Sequence, residues 1–160
     1  MLIKSELDEY FYYKDGNLFW KKLTGKKGFI GKKAGSLQKN GYIAIRFKGK
    51  LLYAHRIIFV MFNNYEPNLV DHVDCNKQNN NIENLRECSS LENSLNKSKN
   101  KNCTFLPKGI KFRKQTKKYQ GRVMLHGKEY LTSCFTTVQD AQNELIKLRN
   151  NIHGNFANHG

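Results

Sequence analysis

The stretch VDHVDCNKQNNNIENLR, residues 70–86, constrains this chain more than any other part of it. It places Asp71 beside His72 and then carries asparagine at five of the next twelve positions. Asparagine side chains compete with the backbone for hydrogen bonds, so they favour turns over the interiors of helices and strands. Hydrophobic segments lie on both sides of the stretch. The pattern therefore predicts a polar loop with an Asp-His pair at its entrance.

The Asp-His pair, together with an asparagine further along the chain, suits the hydrolysis of a phosphodiester. Asp71 offers carboxylate oxygens and Asn93 an amide oxygen. Mg²⁺ binds proteins through one or two such oxygens, together with water and phosphate. Adjacent side chains of an extended segment point to opposite sides of the backbone, so His72 can address a water while Asp71 holds the ion. A histidine with an ordinary pKa of about 6.5 accepts a proton close to neutrality.

We therefore predict a site whose catalytic residues are His72, Asp71, Asn93 and Asn84, and whose metal ligands are Asp71 and Asn93. Asn84 is predicted to pin the loop through hydrogen bonds to nearby backbone groups. The other asparagines of the loop, and Asp74, are predicted to be structural. The predicted cofactor is one Mg²⁺ ion per active site, and Mn²⁺ would suit the same oxygens.

The apolar segment AHRIIFVMF, residues 54–62, contains two candidates for a supporting role. His55 is either a satisfied core histidine or a support for the active site. Arg56 either reaches a phosphate or pairs with an acid. The segment itself could form a buried helix or a buried strand, because periodicity does not separate the two for so short a run.

The distribution of charge favours nucleic acid as the partner. The chain has 28 Lys and Arg against 13 Asp and Glu, for a net charge of +15. Residues 1–50 carry a net +8, residues 51–106 are neutral, and residues 107–160 carry a net +7. Two basic arms around a neutral middle make favourable, salt-dependent contacts with polyphosphate. Solubility alone, or a ribosomal or membrane-surface protein, would be the alternative explanations.

Several classes of protein are disfavoured by what the sequence lacks. No apolar run approaches the roughly 20 residues that span a membrane, and the N-terminus has acids in place of a signal peptide's apolar region. The four cysteines form no CxxC pair, which favours reduced thiols in the cytoplasm over a zinc ribbon. The basic loop at residues 21–36 lacks the GxxxxGK[ST] pattern of a nucleotide-binding loop, so it either contacts phosphate or is simply solvated.

Residues 10–50 are predicted to form strands. The turn signal at residues 14–17, between YFYY and LFW, indicates a hairpin. In residues 42–48 the side chains of Ile43, Ile45 and Phe47 are predicted to share one face of a strand, with Ala44 on the other. After the asparagine-rich loop, residues 89–98 predict a short helix. Its capping box would join Ser89 and Glu92, and Leu91 and Leu95 would form its buried stripe.

The C-terminal third is predicted to form three short strands and one helix. His126-Gly127 joins two alternating segments as a hairpin turn. Thr136 or Thr137 can cap a helix over residues 138–150, whose apolar positions recur at helical spacing. A packing role, and not the stacking of bases, is predicted for Phe112, Tyr119, Val123, Leu125 and Phe135.

The middle of the chain resembles the HNH endonuclease family, in the branch found in phage and intron-encoded nucleases. The residues that carry the resemblance are HRIIFVMF, then VDHVDCNKQNNNIENLR, then LEN, across residues 53–96. The resemblance implies a ββα-metal fold, with Asp71 as a metal ligand, His72 as the general base, Asn84 as the structural asparagine and Asn93 as the second ligand. The family usually has glycine where Cys75 stands, which predicts a differently shaped turn.

Residues 107–156 resemble an AP2-type DNA-binding domain, on the motifs GIKFRK, KYQGRV and LTSCF followed by a helix. The resemblance implies that a three-stranded sheet lies in the major groove of DNA. The sheet positions implied to contact DNA are Lys108, Lys111, Arg113, Lys118, Arg122 and Lys128, with Met124 and Tyr130 beside them. Arginine can pair bidentately with guanine, so Arg113 and Arg122 are the candidates for base reading.

The predicted fold class is α+β, in four segments. These are a strand-rich basic segment (1–52), a ββα-metal nuclease motif (53–98), a linker (99–106) and an AP2-like domain (107–160). The resemblances imply a Mg²⁺-dependent homing-type endonuclease of double-stranded DNA, phage-encoded, cytoplasmic, and a monomer or weak dimer with no protein or membrane partner. A non-catalytic DNA-binding regulator and a nuclease for RNA or branched DNA are the alternatives.

Overall fold

The computed structural model describes residues 2–22, 30–97, 99 and 105–160. The chain forms two compact units, residues 1–90 and residues 91–160. Within the described part, four α-helices accompany four small sheets of two or three strands. This mixed architecture is compatible with the predicted α+β class. Most of the predicted linker, the centre of the predicted basic loop, and Cys103 lie outside the described residues.

The first unit contains two helices and seven strands in its described residues. These are α1 (Lys4–Tyr10), β1 (Phe11–Lys14), β2 (Asn17–Trp20), β3 (Ser36–Leu37), β4 (Ile43–Phe47), β5 (Lys50–Tyr53), α2 (Ala54–Asn63), β6 (Leu69–His72) and β7 (Leu85–Cys88). Strands β1 and β2 form one hairpin, β3, β4 and β5 form a sheet in that order, and β6 and β7 form a second hairpin.

Strands β1 and β2 confirm the predicted N-terminal hairpin, with Phe11 opposite Trp20. The helix α1 before them was not predicted, and it takes Tyr10 out of the strand that the sequence suggested. The hairpin turns through Gly16 at φ +73°. A Cβ atom on Gly16 would lie 2.8 Å from the side-chain oxygen of Asn81, so the tip of the hairpin packs closely against the asparagine-rich loop.

Helix α2 resolves the ambiguity of the apolar segment. Seven of its ten residues are buried, and they form the centre of the first unit's core with Leu7, Phe11, Leu18 and Ile45. A run that is apolar all round is stable as a helix only when other elements cover it on most sides. In β4 both Ala44 and Ile45 are buried although they lie on opposite faces of the strand, because both faces are covered there.

The asparagine-rich stretch connects β6 to β7, and the short helix α3 (Ser90–Leu95) follows β7 at the boundary between the two units. Asp71 pairs with Arg86 and His72 with Leu85 across the hairpin. The predicted buried stripe of α3 is wrong for Leu91, which is 37% exposed. A helix of six residues is too short to bury a continuous stripe on its own.

The second unit contains the predicted three strands and one helix, namely β8 (Ile110–Arg113), β9 (Lys118–Leu125), β10 (Lys128–Phe135) and α4 (Val138–His153). The sheet order is β10-β9-β8, and Thr137 caps the helix by accepting a hydrogen bond from the Asp140 backbone. Ile110, Val123, Ala141 and Leu145 form the core between sheet and helix. Phe112 lies on the edge strand β8, where its ring packs against that of Tyr119 at a centroid distance of 5.0 Å and stays 45% exposed.

None of the helices in the described ranges is long and apolar enough to cross a membrane. The cysteines that the structure describes, Cys75, Cys88 and Cys134, are not in disulfides.

Candidate active site

The β6–β7 hairpin places Asp71 in an ion pair. Asp71 is only 8% exposed, and its Oδ2 accepts hydrogen bonds from Arg86 Nε at 3.1 Å and Nη2 at 2.9 Å. The two residues face each other across the hairpin, so the antiparallel register itself brings them together. The charge of Arg86 stabilises a carboxylate that burial would otherwise penalise. The pair holds Oδ2 in one position within the site.

The loop between β6 and β7 is organised by Asp74 and Asn84. Asp74 Oδ1 accepts from the Asn76 backbone at 2.8 Å and from Asn84 Nδ2 at 2.9 Å, and Oδ2 accepts from Asn79 Nδ2 at 2.7 Å. Burial acts to raise the pKa of Asp74, but these hydrogen bonds outweigh it and hold the pKa below its usual value. Asn84 also donates to the Asn79 carbonyl at 2.8 Å. Asn84 thus ties both ends of the loop together, between two strands.

His72 is buried and held by a second asparagine of the loop. Its exposure is 4%, and its Nε2 lies 2.9 Å from Oδ1 of Asn80, which is 2% exposed. An amide oxygen only accepts, so this hydrogen bond places the proton on Nε2 and makes Nδ1 the unprotonated nitrogen of the neutral ring. Nδ2 of Asn80 is buried and has no hydrogen-bond partner among the described residues. Such an unsatisfied donor costs about 1–3 kcal/mol.

An aromatic wall surrounds His72, formed by Tyr42, Tyr53 and His55. The ring centroid of His72 lies 5.0 Å from that of His55 and 6.0 Å from that of Tyr42. Burial raises the pKa of the Tyr42 hydroxyl, and the charges of Asp71 and Tyr53 add to the effect. Tyr42 therefore stays a neutral hydrogen-bonding group near the Asp71 carboxylate. The wall excludes water from one side of the His72 ring.

His55 is a neutral histidine of this wall. It is 6% exposed, and its Nδ1 is buried without a partner in the described part of the chain. Burial lowers its pKa to about 3, with smaller contributions from the charges of His72 and Arg56. His55 therefore carries no charge near neutrality, and it supports His72 by packing.

The buried His55 makes the first unit sensitive to acid. Below its ordinary pKa of about 6.5 the unfolded chain takes up a proton that the folded chain accepts only near pH 3, so stability falls as the pH falls between these values. We expect the wild type to lose about 2 kcal/mol more than His55→Gln between pH 7.5 and 5, at about 1.36 kcal/mol per pH unit below 6.5. Urea unfolding followed by the fluorescence of Trp20, the single tryptophan, measures this. Equal pH slopes for the two proteins would contradict the assignment.

Cys75 adopts a conformation that glycine favours. It stands in the turn after His72 with φ +60°, in the left-handed region. This region costs a residue with a Cβ atom roughly 1–2 kcal/mol. The turn therefore keeps a glycine-type backbone even though its residue is cysteine.

We expect Cys75→Gly to raise the free energy of unfolding by about 1 kcal/mol, because glycine adopts a positive φ without steric strain. Glycine also makes the unfolded chain more flexible, and this larger entropy of the unfolded state offsets part of the gain. The measurement is urea unfolding followed by Trp20 fluorescence. Cys75→Ala is the matched control, since it removes the sulfur but keeps the Cβ atom. A gain of similar size for both variants would show that the sulfur, and not the backbone, is responsible.

Arg56 pairs with an acid. Its Nη2 donates to Glu66 Oε1 at 3.1 Å and to the Pro67 carbonyl at 2.8 Å, and its Nη1 donates to the Asn68 carbonyl at 3.1 Å. A hydrogen bond from the Leu2 backbone lowers the pKa of Glu66 first of all, against the effect of burial, and Arg56 lowers it further. Arg56 therefore fastens α2 to the segment that leads into β6.

The donor chemistry of the site suits a hard divalent ion. Asp71 supplies a nearly buried carboxylate, and Asn93 on α3 supplies an amide oxygen. Asn93 belongs to the second unit and Asp71 to the first, so their joint role as metal ligands stays a prediction. No group of three His, Cys, Asp or Glu side chains suitable for a metal occurs in the part of the chain that the structure describes.

The predicted DNA-contacting residues do not all share one face of the second unit's sheet. Strand alternation places Lys111, Arg113, Lys118 and Arg122 on the face opposite Ile110 and Val123, which pack on α4. The other two positions lie off that face. Lys108 precedes β8 and donates a hydrogen bond to the Asn158 carbonyl at 3.0 Å. Lys128 lies opposite Leu125, which strand alternation places on the other face of β9 from Arg122. A DNA-binding role stays a prediction for all six.

A model of the HNH endonuclease family matches residues 52–95. No curated protein and no solved structure matches the chain. The matched segment runs from the end of β5 to the end of α3, so it contains Asp71, His72, Asn80, Asn84 and Asn93. The match supports an HNH nuclease, and it indicates a hydrolase that acts on DNA. HNH nucleases generally use a divalent metal ion.

Sequence reasoning missed three residues of the site: Asn80, Arg86 and Tyr42. Asn80 is one of three consecutive asparagines, and only the folded loop distinguishes the one whose side chain turns inward. Arg86 could have been found from the spacing of an antiparallel hairpin centred on the loop, because it lies directly opposite Asp71. Tyr42 comes from another sheet, and no local pattern connects it to His72.

Proposed function

We propose that this protein is a divalent-metal-dependent HNH endonuclease that hydrolyses phosphodiester bonds in double-stranded DNA. The observation that carries the proposal is the buried His72, held at Nε2 by Asn80 and adjacent to Asp71 inside the segment that the HNH endonuclease model matches. This arrangement offers the two groups that hydrolysis needs, a basic nitrogen and a carboxylate.

The general base in this proposal is Nδ1 of His72. A water molecule loses a proton to Nδ1 as its oxygen attacks the phosphorus, and the P–O3′ bond breaks to leave a 5′-phosphate. The leaving O3′ takes a proton from solvent water and becomes the 3′-hydroxyl. Asn80 keeps the other nitrogen protonated, so the imidazole faces the water in one tautomer. The Tyr42 and His55 rings limit its rotation.

Asp71 and Asn93 are the proposed ligands of one Mg²⁺ ion, and Mn²⁺ would suit the same oxygens. A bound ion of this kind polarises the phosphoryl group and stabilises the leaving oxygen. Arg86 orients the Asp71 carboxylate through Oδ2. The proposed homing-type, phage-encoded origin, the bacterial cytoplasm as its place of action, and the monomeric or weakly dimeric state follow from the resemblance alone.

Basic residues in the segments that precede and follow the proposed site in the sequence would hold the DNA. Residues 1–50 and 107–160 carry most of the net charge of +15, and phosphate contacts from lysine fix the position of a protein on a duplex. Lys111, Arg113, Lys118 and Arg122 share a face of the second unit's sheet and are the proposed contacts there. Arg122 is paired with Glu129 at 3.1 Å, so base reading would require that this exposed pair open.

The test is a plasmid assay with supercoiled DNA, the full chain, and either Mg²⁺ or EDTA. We expect conversion to open circles in Mg²⁺ and none in EDTA. A monomer with one site cuts one strand per event, so open circles should accumulate before linear DNA. No conversion with Mg²⁺ or Mn²⁺ on any of several plasmids would overturn the proposal.

A second candidate is a DNA-binding regulator without catalysis. The observation that favours it is the ion pair of Asp71 with Arg86, which occupies one carboxylate oxygen of the proposed ligand. A regulator of this kind would retard DNA in a mobility-shift assay and would leave the plasmid intact under all metal conditions. A nuclease for RNA or branched DNA, the remaining alternative, predicts faster cleavage of those substrates than of linear duplex in the same assay.

A further inference from the structure

The second unit contains a pocket of about 620 Å³ that the proposed nuclease site does not use. It lies beside the start of the edge strand β8, with the end of α3 on one wall and α4 on another. Its lining includes the basic residues Lys97, Lys99, Lys108 and Arg149, and none of the described lining residues is acidic. Like charges gathered around one cavity repel one another unless an anion enters it.

Arg149 is the most informative residue of this pocket. It is 4% exposed, and its guanidinium donates to the Lys108 carbonyl at 2.9 Å and to His159 Nδ1 at 3.2 Å. No carboxylate among the described residues forms an ion pair with it, and burial alone lowers its pKa. A buried cation without a counter-charge is costly, so the fold holds Arg149 ready for an anion that none of the described carboxylates supplies.

The acidic residues of this unit are committed elsewhere. Residues 91–160 contain 13 Lys and Arg but only four Asp and Glu. Glu129 pairs with Arg122, Glu144 with Lys147, and Asp140 joins the Thr137 cap. The fourth, Glu92, does not line the pocket. None of these four carboxylates therefore lines the pocket.

His153 adds a second unsatisfied group to the same cavity. Its Nε2 donates to the Met124 carbonyl at 3.1 Å, and its Nδ1 is buried with no partner in the described ranges. Burial lowers its pKa, against the hydrogen bond to Met124, and the charges of Arg149 and Lys108 lower it further. A protonated oxygen of a ligand can donate to this nitrogen, whereas a simple halide ion cannot.

We propose that this pocket binds a phosphate group, presented either by the DNA backbone or by a free nucleotide. Guanidinium and ammonium groups together recognise phosphate oxygens strongly, and the apolar residues of the wall leave room for the attached sugar. The proposal is independent of catalysis, because the site lies wholly within the second unit and needs neither His72 nor a metal ion.

The test is an NMR titration of the full chain, without metal, using three probes: inorganic phosphate, a deoxynucleoside 5′-monophosphate, and a short DNA duplex. We expect saturable shifts of backbone amides around Gly109 and Arg149. The Kd for inorganic phosphate should rise at least about tenfold in Lys97→Gln/Lys99→Gln, since this variant removes two ammonium groups from the pocket wall. Lys114→Gln/Lys117→Gln, in the exposed β8–β9 turn, removes the same charge and should leave the Kd unchanged.

Ser94→Glu is expected to change phosphate affinity and protein stability in opposite directions. It puts a carboxylate on the pocket wall, so it should weaken phosphate binding while raising the melting temperature. Displacement of phosphate by duplex would identify the DNA backbone as the source. If the deoxynucleoside monophosphate binds more tightly than inorganic phosphate and the duplex does not displace it, the source is a free nucleotide. An absence of saturable shifts in the pocket with all three probes, or an equal loss of affinity in both lysine double variants, would overturn the proposal.

Discussion

His72→Ala is expected to abolish cleavage while DNA binding persists. General-base catalysis by a positioned histidine contributes roughly 10²–10⁴-fold to a rate, so open circles should form at least about 100 times more slowly than with the wild type. Affinity for the duplex should stay within about twofold, because most of the basic residues that carry it lie outside the β6–β7 hairpin. The rate comes from the plasmid assay with Mg²⁺, and the affinity from mobility shifts in EDTA.

His126→Ala is the matched control for this experiment. His126 lies in the exposed turn between β9 and β10, so its loss removes a histidine of the same chemistry from a surface position. We expect wild-type cleavage. If His72→Ala cuts as fast as His126→Ala, then His72 is not the base and the mechanism proposed above is wrong.

Asn80→Ala is expected to reduce cleavage by about 10–100-fold, the usual effect of losing the partner that orients a site histidine. Without the Asn80 oxygen, neutral His72 is no longer restricted to the tautomer with its proton on Nε2. The ¹⁵N chemical shifts of the His72 ring report this directly, because protonated and unprotonated nitrogens of neutral imidazole differ widely. The spectrum is recorded without metal, so it does not depend on activity.

Asn80→Asp is the conservative partner of that variant. A carboxylate oxygen still accepts from Nε2, so the wild-type tautomer and a larger share of the rate should return. The stability of Asn80→Ala separates positioning from folding. The substitution leaves the buried His72 Nε2 without its acceptor but also removes the unpaired Nδ2 of Asn80, so the two effects offset each other and the variant should unfold near the wild-type urea midpoint. A His72 spectrum identical in Asn80→Ala and the wild type would contradict the positioning role.

The N-terminal hairpin supports the asparagine-rich loop that positions His72. Gly16 at its tip lies against the backbone of Asn80 and Asn81, and the Tyr13 hydroxyl accepts a hydrogen bond from the Ile82 backbone at 3.3 Å. The loop that holds His72 is therefore supported by a segment more than 60 residues earlier in the chain. This explains why the first 50 residues pack into the same unit as the asparagine-rich stretch.

Local patterns determined much of the architecture. The turn chemistry at residues 14–17 and 126–127 predicted two hairpins, and the helical spacing after Thr137 predicted α4 with its buried Ala141 and Leu145. These features depend on neighbouring residues only, so a sequence displays them. The Asp-His pair and the role of Asn84 as the link across the loop were visible for the same reason.

Contacts between distant segments could not be read from the sequence. Helix α2 is a helix because surrounding elements cover it on most sides, and the apolar run by itself is equally consistent with a strand. Helix α1 shows no signal that distinguishes it from the strands after it. The burial of Ala44 and the exposure of Phe112 likewise depend on what lies against each face.

The chain's sequence by itself determined the chemistry that is available: a carboxylate next to a histidine, an asparagine-rich loop, and two basic arms. Only the tertiary structure decided how that chemistry is arranged. It chose Asn80 among three adjacent asparagines to hold His72, set Arg86 opposite Asp71, and left Arg149 buried in a basic pocket. The physical reason is that residue type fixes which bonds a group can make, whereas burial and register, which depend on the whole fold, decide which of those bonds form.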